Sequence, residues 1–393
     1  MLRLQLREGN GPEIHCLPDG VATVLNRLDI ATVTPAEGGG WLVANIRKVG
    51  VLMAVGCQIT IRPKIPVTSL FFLMGYSLDR GFWLDDDIAI SPDVDVDLVN
   101  TIALTFIRNA SKAIREGIIQ GYESYEDSLP IMRGRIDIPA QIARRGGLAF
   151  PAQVVYDEFT TDVAENRLLL SAARRLLNLP DLTDGSMVAL RKMTQALDGV
   201  TPLAVGQAMP RVHFTRLNAR YKPALVLAEI ILRNSSLEQD GGNIGTTAFL
   251  FDMWRVFEDF VTTVLAHRLE DRGGTATSQA KGTYLDTGAK IALRPDLLWH
   301  DGIHCKAVID AKYKRTKLAN YPNADIYQML AYCMRFGLEA GHLVYAKGED
   351  EPRIHEIIGH TAYIHCHAID LNQHPSVLLR QMSQLADKIA AQH

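Results

Sequence analysis

Two aspartates and a lysine carry the most chemical information in the sequence: Asp296, within Arg294-Pro295-Asp296, and the pair in Asp310-Ala311-Lys312, which begins fourteen residues further on. Carboxylate oxygens suit hard divalent cations such as Mg2+ or Mn2+, which retain waters and bind phosphate oxygens. An ammonium group beside such an ion orients and stabilises an attacking hydroxide. The set points to phosphodiester cleavage.

Those residues need a scaffold, and the surrounding pattern supplies one. Ile291 to Trp299 is an apolar run, His300-Asp301-Gly302 has turn chemistry, and Ile303 to Ala311 alternates like a strand, so a β-hairpin is predicted. Side chains two apart on a strand share a face, which puts Asp310 and Lys312 together and sends Ile309 and Ala311 into the opposite layer. A helix is predicted from an N-cap at Thr246 or Thr247 to about Asp271, where Arg272-Gly273-Gly274 ends it. Its core line reads Phe251, Trp254, Glu258, Val261, Leu265, with one carboxylate among apolar residues. Burying that charge is costly unless it meets a metal or a cation, which makes Glu258 the third ligand candidate. Pro322-Asn323 starts another helix that Gly337 stops, with Ile326, Met329, Leu330, Cys333 and Phe336 on its core side. Gln328 and Tyr332 fall off that line, flanked by Asp325 and Arg335. On spacing alone a solvated helix face explains them better than a role at phosphate or at the lysine. A reading without catalysis is also open: a surface ion pair Asp310–Lys312, a turn cap at Asp296, and Glu258 paired with an arginine such as Arg294.

Taken together, Pro295-Asp296, Asp310-Ala311-Lys312 and Gln328-Met329-Leu330-Ala331-Tyr332 resemble the PD-(D/E)xK nuclease core, in the RecB-like variant with a Gln-x3-Tyr helix after the catalytic strand. Asp-Ala-Lys-Tyr-Lys followed by Tyr-Gln-Met-Leu-Ala-Tyr is similar, more narrowly, to the McrC family, the nuclease subunits of McrBC modified-cytosine restriction systems. Met132-Arg133-Gly134-Arg135-Ile136, Tyr156-Asp157-Glu158-Phe159 and Glu165-Asn166-Arg167-Leu168-Leu169 are similar to segments that McrC proteins carry before the nuclease domain. The resemblance spans roughly residues 120 to 345. It implies an endodeoxyribonuclease in which Glu258, Asp296, Asp310 and the Ala311 carbonyl hold one or two Mg2+ ions, with Mn2+ as an alternative. Lys312 would position the attacking water, the 3′ oxygen would leave, and a 5′ phosphate would remain. Gln328, Tyr332 and Lys314 would contact double-stranded DNA. It also implies a hexameric AAA+ GTPase partner of McrB type that reads the modified cytosine and whose hydrolysis the amino-terminal region stimulates.

A chain of 393 residues, 47% hydrophobic, exceeds what one core organises, so two or three domains are expected. The expected class is α/β and α+β multidomain. Residues 1–95 carry short alternating runs broken by Gly38-Gly39-Gly40, Gly50, Gly56, Pro63 and Pro66, a β-rich domain with a projecting element near Trp41 to Ile61 as candidate partner contact. Residues 96–240 read as mainly helical, with periodic stretches at Leu98 to Ile118, Asp162 to Leu179, Met187 to Leu197 and Pro223 to Leu232. A polar boundary at Gln239-Asp240-Gly241-Gly242-Asn243 opens the nuclease domain, 241–393, a mixed sheet flanked by helices. Strands at His342 to Ala346, Ile354 to Ile358 and Tyr363 to Ile369 and a helix from Ser376 to about Ala390 complete it.

No apolar run of about 18 residues and no secretory signal pattern is present, so neither a membrane partner nor export is expected, and the cytoplasm is the default location. Five scattered cysteines lack Cys-x2-Cys spacing and read as buried reduced thiols. A net charge of −3 is low for a DNA-binding protein, since affinity comes largely from phosphates neutralised by Lys and Arg. Basic residues gather at Arg133, Arg135, Arg144 and Arg145, from Arg211 to Lys222, and at Lys312, Lys314, Arg315 and Lys317. Weak intrinsic DNA binding follows, which suits a subunit delivered by a partner better than a stand-alone RecB-like repair nuclease. The unbroken acid–lysine set argues against a non-catalytic adaptor with a nuclease fold. No Gly-x4-Gly-Lys-Ser/Thr loop occurs, so no nucleotide is expected to bind this chain. His355, His360, His365 and His367 crowd the carboxyl end, where hydrogen-bonded strand histidines explain them better than a metal set.

Overall fold

The computed structural model describes residues 2–79, 98–146, 150–204, 206–240, 243–313, 323–346 and 353–392. The chain divides into two compact units. One comprises Met1–Gly50, Ala54–Pro92 and Leu250–His393, the other Val51–Met53 and Asp93–Phe249.

In the first unit, Leu2–Arg7 pairs in parallel with Cys57–Arg62, and Trp41–Ala44 lies between Glu13–His15 and Thr32–Pro35 in an antiparallel sheet. The strand Cys57–Arg62 does not project: Cys57, Ile59 and Ile61 are buried, as is Val49 before it, because these alternating apolar residues supply core. Helix Val67–Leu78 packs on helix Met253–Glu270, where Phe72 and Tyr76 place their rings 5.6 and 5.8 Å from Phe260. The main sheet has six strands in the order Thr275–Ser278, Leu297–Asp301, His304–Lys312, Ala340–Ala346, Tyr363–Ile369, Arg353–Glu356. Its three central strands are parallel neighbours and its outer pairings antiparallel. The middle strand, Ala340–Ala346, is buried along its whole length and apolar but for His342, as a strand covered on both faces must be. Helix Asn323–Phe336 covers one face through Met329, Tyr332 and Cys333, which pack on Val308, Leu343 and Cys366. Helix Pro375–Ala390 closes the unit.

Three local expectations fail here. Residues 246 and 247 start no helix, since Asn243–Asp252 is a strand pairing in antiparallel fashion with Ser235–Asp240. The helix begins at Met253, leaving Phe251 in the strand and Trp254 exposed, and its buried stripe is Phe257, Phe260, Val261, Val264 and Leu265. Of the five cysteines, Cys57, Cys333 and Cys366 are buried, but Cys16 is exposed and Cys305 only half-buried.

The second unit holds helices Leu98–Arg115, Ile138–Arg145, Ala164–Leu177, Asp184–Ala196 and Lys222–Asn234. It also contains a nine-residue antiparallel ribbon, Gly121–Leu129 with Ala152–Thr160, that helical periodicity could not reveal. Tyr122, Ile131, Met132, Phe150 and Phe159 on and beside this ribbon are exposed apolar residues.

Candidate active site

The predicted hairpin forms, but its first strand is shorter than the apolar run. Ala292–Leu293 pairs separately with Thr283–Tyr284, and Arg294-Pro295-Asp296 breaks the chain before Leu297–Asp301 begins. Proline has no N–H to donate to a ladder, so the break falls where the sequence can tolerate it. That break leaves Asp296 at the mouth of the strand, where its Oδ2 accepts the Ala311 N–H at 2.7 Å. Gly302 takes φ 59° in the turn, a left-handed conformation that a glycine adopts freely.

Asp310 lies near the carboxyl end of His304–Lys312 at 1% exposure, which excludes a surface ion pair. Lys312, two residues on, reaches back to Asp310 Oδ2 and donates to Gln328 Oε1 at 3.0 Å. Gln328 donates to the Tyr332 hydroxyl at 2.8 Å, and that hydroxyl donates to the Arg294 carbonyl at 3.0 Å. Tyr332 is therefore no solvated residue: it is buried and ties the helix Asn323–Phe336 to the strand break. Gln328 is on the exposed side of the helix, and its amide is spent on the lysine and the tyrosine.

Glu258 approaches from helix Met253–Glu270, half-buried, its Oε1 accepting from Gln279 Nε2 at 3.2 Å. Gln279 also donates its N–H to the Asp296 carbonyl at 2.9 Å. It thus fixes two acids at once, a role sequence reasoning missed. Its only local signal is that it follows a strand with φ 49°. A second residue given too little weight is Asp325, 4% exposed in the first turn of the Gln328 helix. Tyr345, the register partner of Lys312 on the next strand, donates its hydroxyl to Asp325 Oδ2 at 3.3 Å.

Electrostatics follow from this burial. Asp296 is pushed up to about 8, by desolvation first and then by the charge of Asp310. Glu258 and Asp310 are also raised by burial, opposed by Gln279 and by Lys312 respectively. Burial works against the Lys312 ammonium, yet Asp310, Asp296 and Asp325 outweigh it and raise its pKa. Burial and the charges of Asp310 and Asp296 raise Tyr332, which stays a neutral donor. The site is a knot of carboxyls that resist ionising together with a lysine held charged among them.

Among the described residues, no three His, Cys, Asp or Glu side chains stand close enough to share one ion as placed. Each acid instead has a protein partner: Ala311 N–H for Asp296, Lys312 for Asp310, Gln279 for Glu258. The donor set nevertheless fits a hard cation, because it is all oxygen and its like charges lack a full countercharge. Lys314, with Arg315 and Lys317, lies outside the described residues. Of the other basic groups, Arg133 stacks on Tyr156 at 4.1 Å and pairs with Glu158 at 3.3 Å, while Arg220 is spent on the carbonyls of Ala113 and Gly117.

The carboxyl-end histidines form a buried cluster on the sheet face opposite Asp310. His342 replaces His355 and His360 in it, its Nδ1 lying 3.2 Å from His367 Nε2 with the rings stacked at 5.4 Å. His365 lies 5.2 Å from His342, centroid to centroid, and contacts Gln392.

A mixed α/β chain that gathers buried acids and one lysine at the end of a central strand belongs, by architecture, with multidomain proteins carrying a polar site on a helix-covered sheet. Residues 44–346 match the family model described as McrBC 5-methylcytosine restriction system component. The chain belongs to that family. Its fold is similar to that of a chain in the refined half-complex from a tetradecameric assembly of Thermococcus gammatolerans McrB AAA+ hexamers with bound McrC, at TM-score 0.61 and 17% identity, covering 98% of this chain and 100% of that one. A chain in the cryo-EM structure of the Thermococcus gammatolerans McrBC complex aligns at TM-score 0.42 and 19% identity over 68% of this chain and 88% of that one. No curated protein matches the sequence. No helix among the described residues is long and apolar enough to cross a membrane.

Proposed function

We propose that this chain is the DNA-cleaving subunit of a McrBC-type restriction system, a Mg2+-dependent endonuclease of PD-(D/E)xK type that works with a hexameric AAA+ GTPase. The observation that supports it best is the meeting of Glu258 with Asp296 and Asp310, and of those two aspartates with Lys312, from a helix, a strand break and the end of a strand. A divalent cation, when bound, supplies Lewis-acid charge at the scissile phosphate, and Glu258, Asp296, Asp310 and the Ala311 carbonyl are the groups to hold it. Lys312 holds and orients a water for in-line attack, and Gln328 sets the direction of its ammonium. Tyr332 anchors Gln328 by the hydroxyl bridge to Arg294, so it acts behind the DNA contact, not at it. Asp325 adds negative charge that keeps Lys312 protonated.

Family membership and the fold shared with a chain of the Thermococcus assembly support a GTPase partner and are consistent with cleavage serving restriction of modified DNA. Since the second half of Trp41–Ile61 is buried, the exposed apolar side chains on and beside the ribbon of Gly121–Leu129 and Ala152–Thr160, Tyr122, Met132 and Phe159 among them, are the better candidates for the partner contact. Cleavage of methylated double-stranded DNA by the complete complex, with GTP and Mg2+, tests the reading. Lys312→Ala is expected to lose at least about 10²-fold in rate while assembling normally. Cutting by Lys312→Ala at the normal rate overturns the proposal.

A further inference from the structure

We propose that Tyr313, clamped by Glu8 and Lys64, is a positioning residue for the acid–lysine site, so that the amino-terminal segment holds the carboxy-terminal catalytic groups in register. The inference rests on the cleavage reading above.

Tyr313 follows Lys312 directly, at the point where the strand ends. A strand end frays unless something ties it, and the ammonium of Lys312 must remain on Asp310 and Gln328 to be useful. The tie comes from residues more than two hundred positions earlier in the chain. The Tyr313 hydroxyl donates to Glu8 Oε2 at 3.2 Å, and the Lys64 ammonium sits 3.7 Å over the Tyr313 ring and 3.6 Å from Glu8 Oε1. The Lys64 N–H donates to Glu8 Oε2 at 3.1 Å. Glu8 is 5% exposed, so this carboxyl is buried, and every contact named here satisfies it. Burying a carboxyl in this way is costly unless its oxygens are matched, which they are.

A further contact of the same ring completes the argument. Tyr313 packs 5.7 Å from Phe257, the residue before Glu258. Tyr313 is therefore itself the backbone neighbour of Lys312 and packs on the backbone neighbour of Glu258, while its hydroxyl and ring are fixed by the amino-terminal pair. A displacement of about 1 Å in a catalytic group costs on the order of 10²-fold in rate. The ring with its hydroxyl is thus a spacer between Lys312 and Glu258 whose seat is Glu8 and Lys64.

The experiment uses the full chain in complex with its GTPase partner. Cleavage kinetics are measured for Tyr313→Ala, Tyr313→Phe and Glu8→Gln, with Mn2+ binding to each full chain followed by electron paramagnetic resonance. Phe72→Leu, on the neighbouring helix interface, controls for loss of stability alone. Tyr313→Ala is expected to lower kcat about 10- to 100-fold with KM for DNA within about twofold, and to weaken Mn2+ binding several-fold. Tyr313→Phe and Glu8→Gln should fall between it and wild type, and Phe72→Leu should keep the wild-type kcat. Wild-type kcat and Mn2+ affinity in Tyr313→Ala, or an equal loss of kcat in Phe72→Leu, overturns the inference. Loss in Lys312→Ala with none in Tyr313→Ala overturns the positioning role alone, whereas a fully active Lys312→Ala overturns the cleavage reading itself.

Discussion

Replacing Asp296 by asparagine should make the metal-free protein more stable at alkaline pH while abolishing cleavage. Desolvation and the neighbouring Asp310 charge hold Asp296 at about 8 in the fold, against about 4 for an unfolded aspartate. The sign follows from proton binding: between these values the native state carries a proton the unfolded state has lost, so stability falls as pH rises through the interval. At about 1.4 kcal/mol for each pH unit, the gap sets a ceiling of about 5–6 kcal/mol. Because Glu258 and Asp310 share the strain, and Asp296 is only partly enclosed, a gain of about 1–3 kcal/mol is expected for the variant at pH 8.5 and almost none at pH 4. Asparagine keeps an oxygen for the Ala311 N–H, so that contact survives. The assay is chemical denaturation in chelator at both pH values, repeated with Mg2+. Wild type should gain stability from Mg2+ and the variant should gain little. A variant less stable than wild type at pH 8.5, or one stabilised equally by Mg2+, refutes the reasoning.

The buried histidines pull the other way. Burial first, then the charges of His365 and Lys388, press His367 down to about 3, and burial also lowers His365, so both stay neutral in the fold while the unfolded chain takes up protons below about 6.5. The stability His367 contributes is complete above pH 6.5 and is lost as pH falls towards 3, by up to about 1.4 kcal/mol per pH unit. His367→Gln in an Asp296→Asn background should flatten acid destabilisation between pH 6.5 and 4, read by urea midpoints. At Gly341, an added Cβ would lie 2.6 Å from Met329 Sδ and 2.7 Å from Cys333 Sγ, so Gly341→Ala should cost about 1–3 kcal/mol by displacing the Gln328 helix, and the melting temperature checks it. Tyr332→Phe removes the bridge from Gln328 to the Arg294 carbonyl, and should lower kcat about 3- to 30-fold with KM for DNA nearly unchanged in steady-state cleavage.

Much of the site was legible in the chain because its signals are local. Asp310 and Lys312 share a face by strand geometry, and a glycine-bearing turn set the hairpin that holds them. The stripe that singles out Glu258 mixes a strand residue, Phe251, with an exposed one, Trp254, because burial of Ala248, Phe249 and Phe251 in the strand Asn243–Asp252 overrides the helical period. Gln279 and Asp325 depend on how distant strands and helices meet, which spacing cannot express. The ribbon Gly121–Leu129 was hidden by its half-exposed, charge-rich alternation, Tyr122-Glu123-Ser124-Tyr125-Glu126, in a stretch surrounded by helices. Tyr332 was misplaced because its phenol is both core filler and polar anchor, and a hydrophobic count recognises only one of these.

The unit that bears the acids is assembled from both ends of the chain, with the ribbon and its helices translated in between. A ribosome releases the amino-terminal strands first and must finish the intervening unit before the aspartates and the lysine emerge. An interrupted nascent chain therefore ends before it carries Asp296, Asp310 and Lys312, so an early stall yields neither the candidate site nor the sheet that holds it.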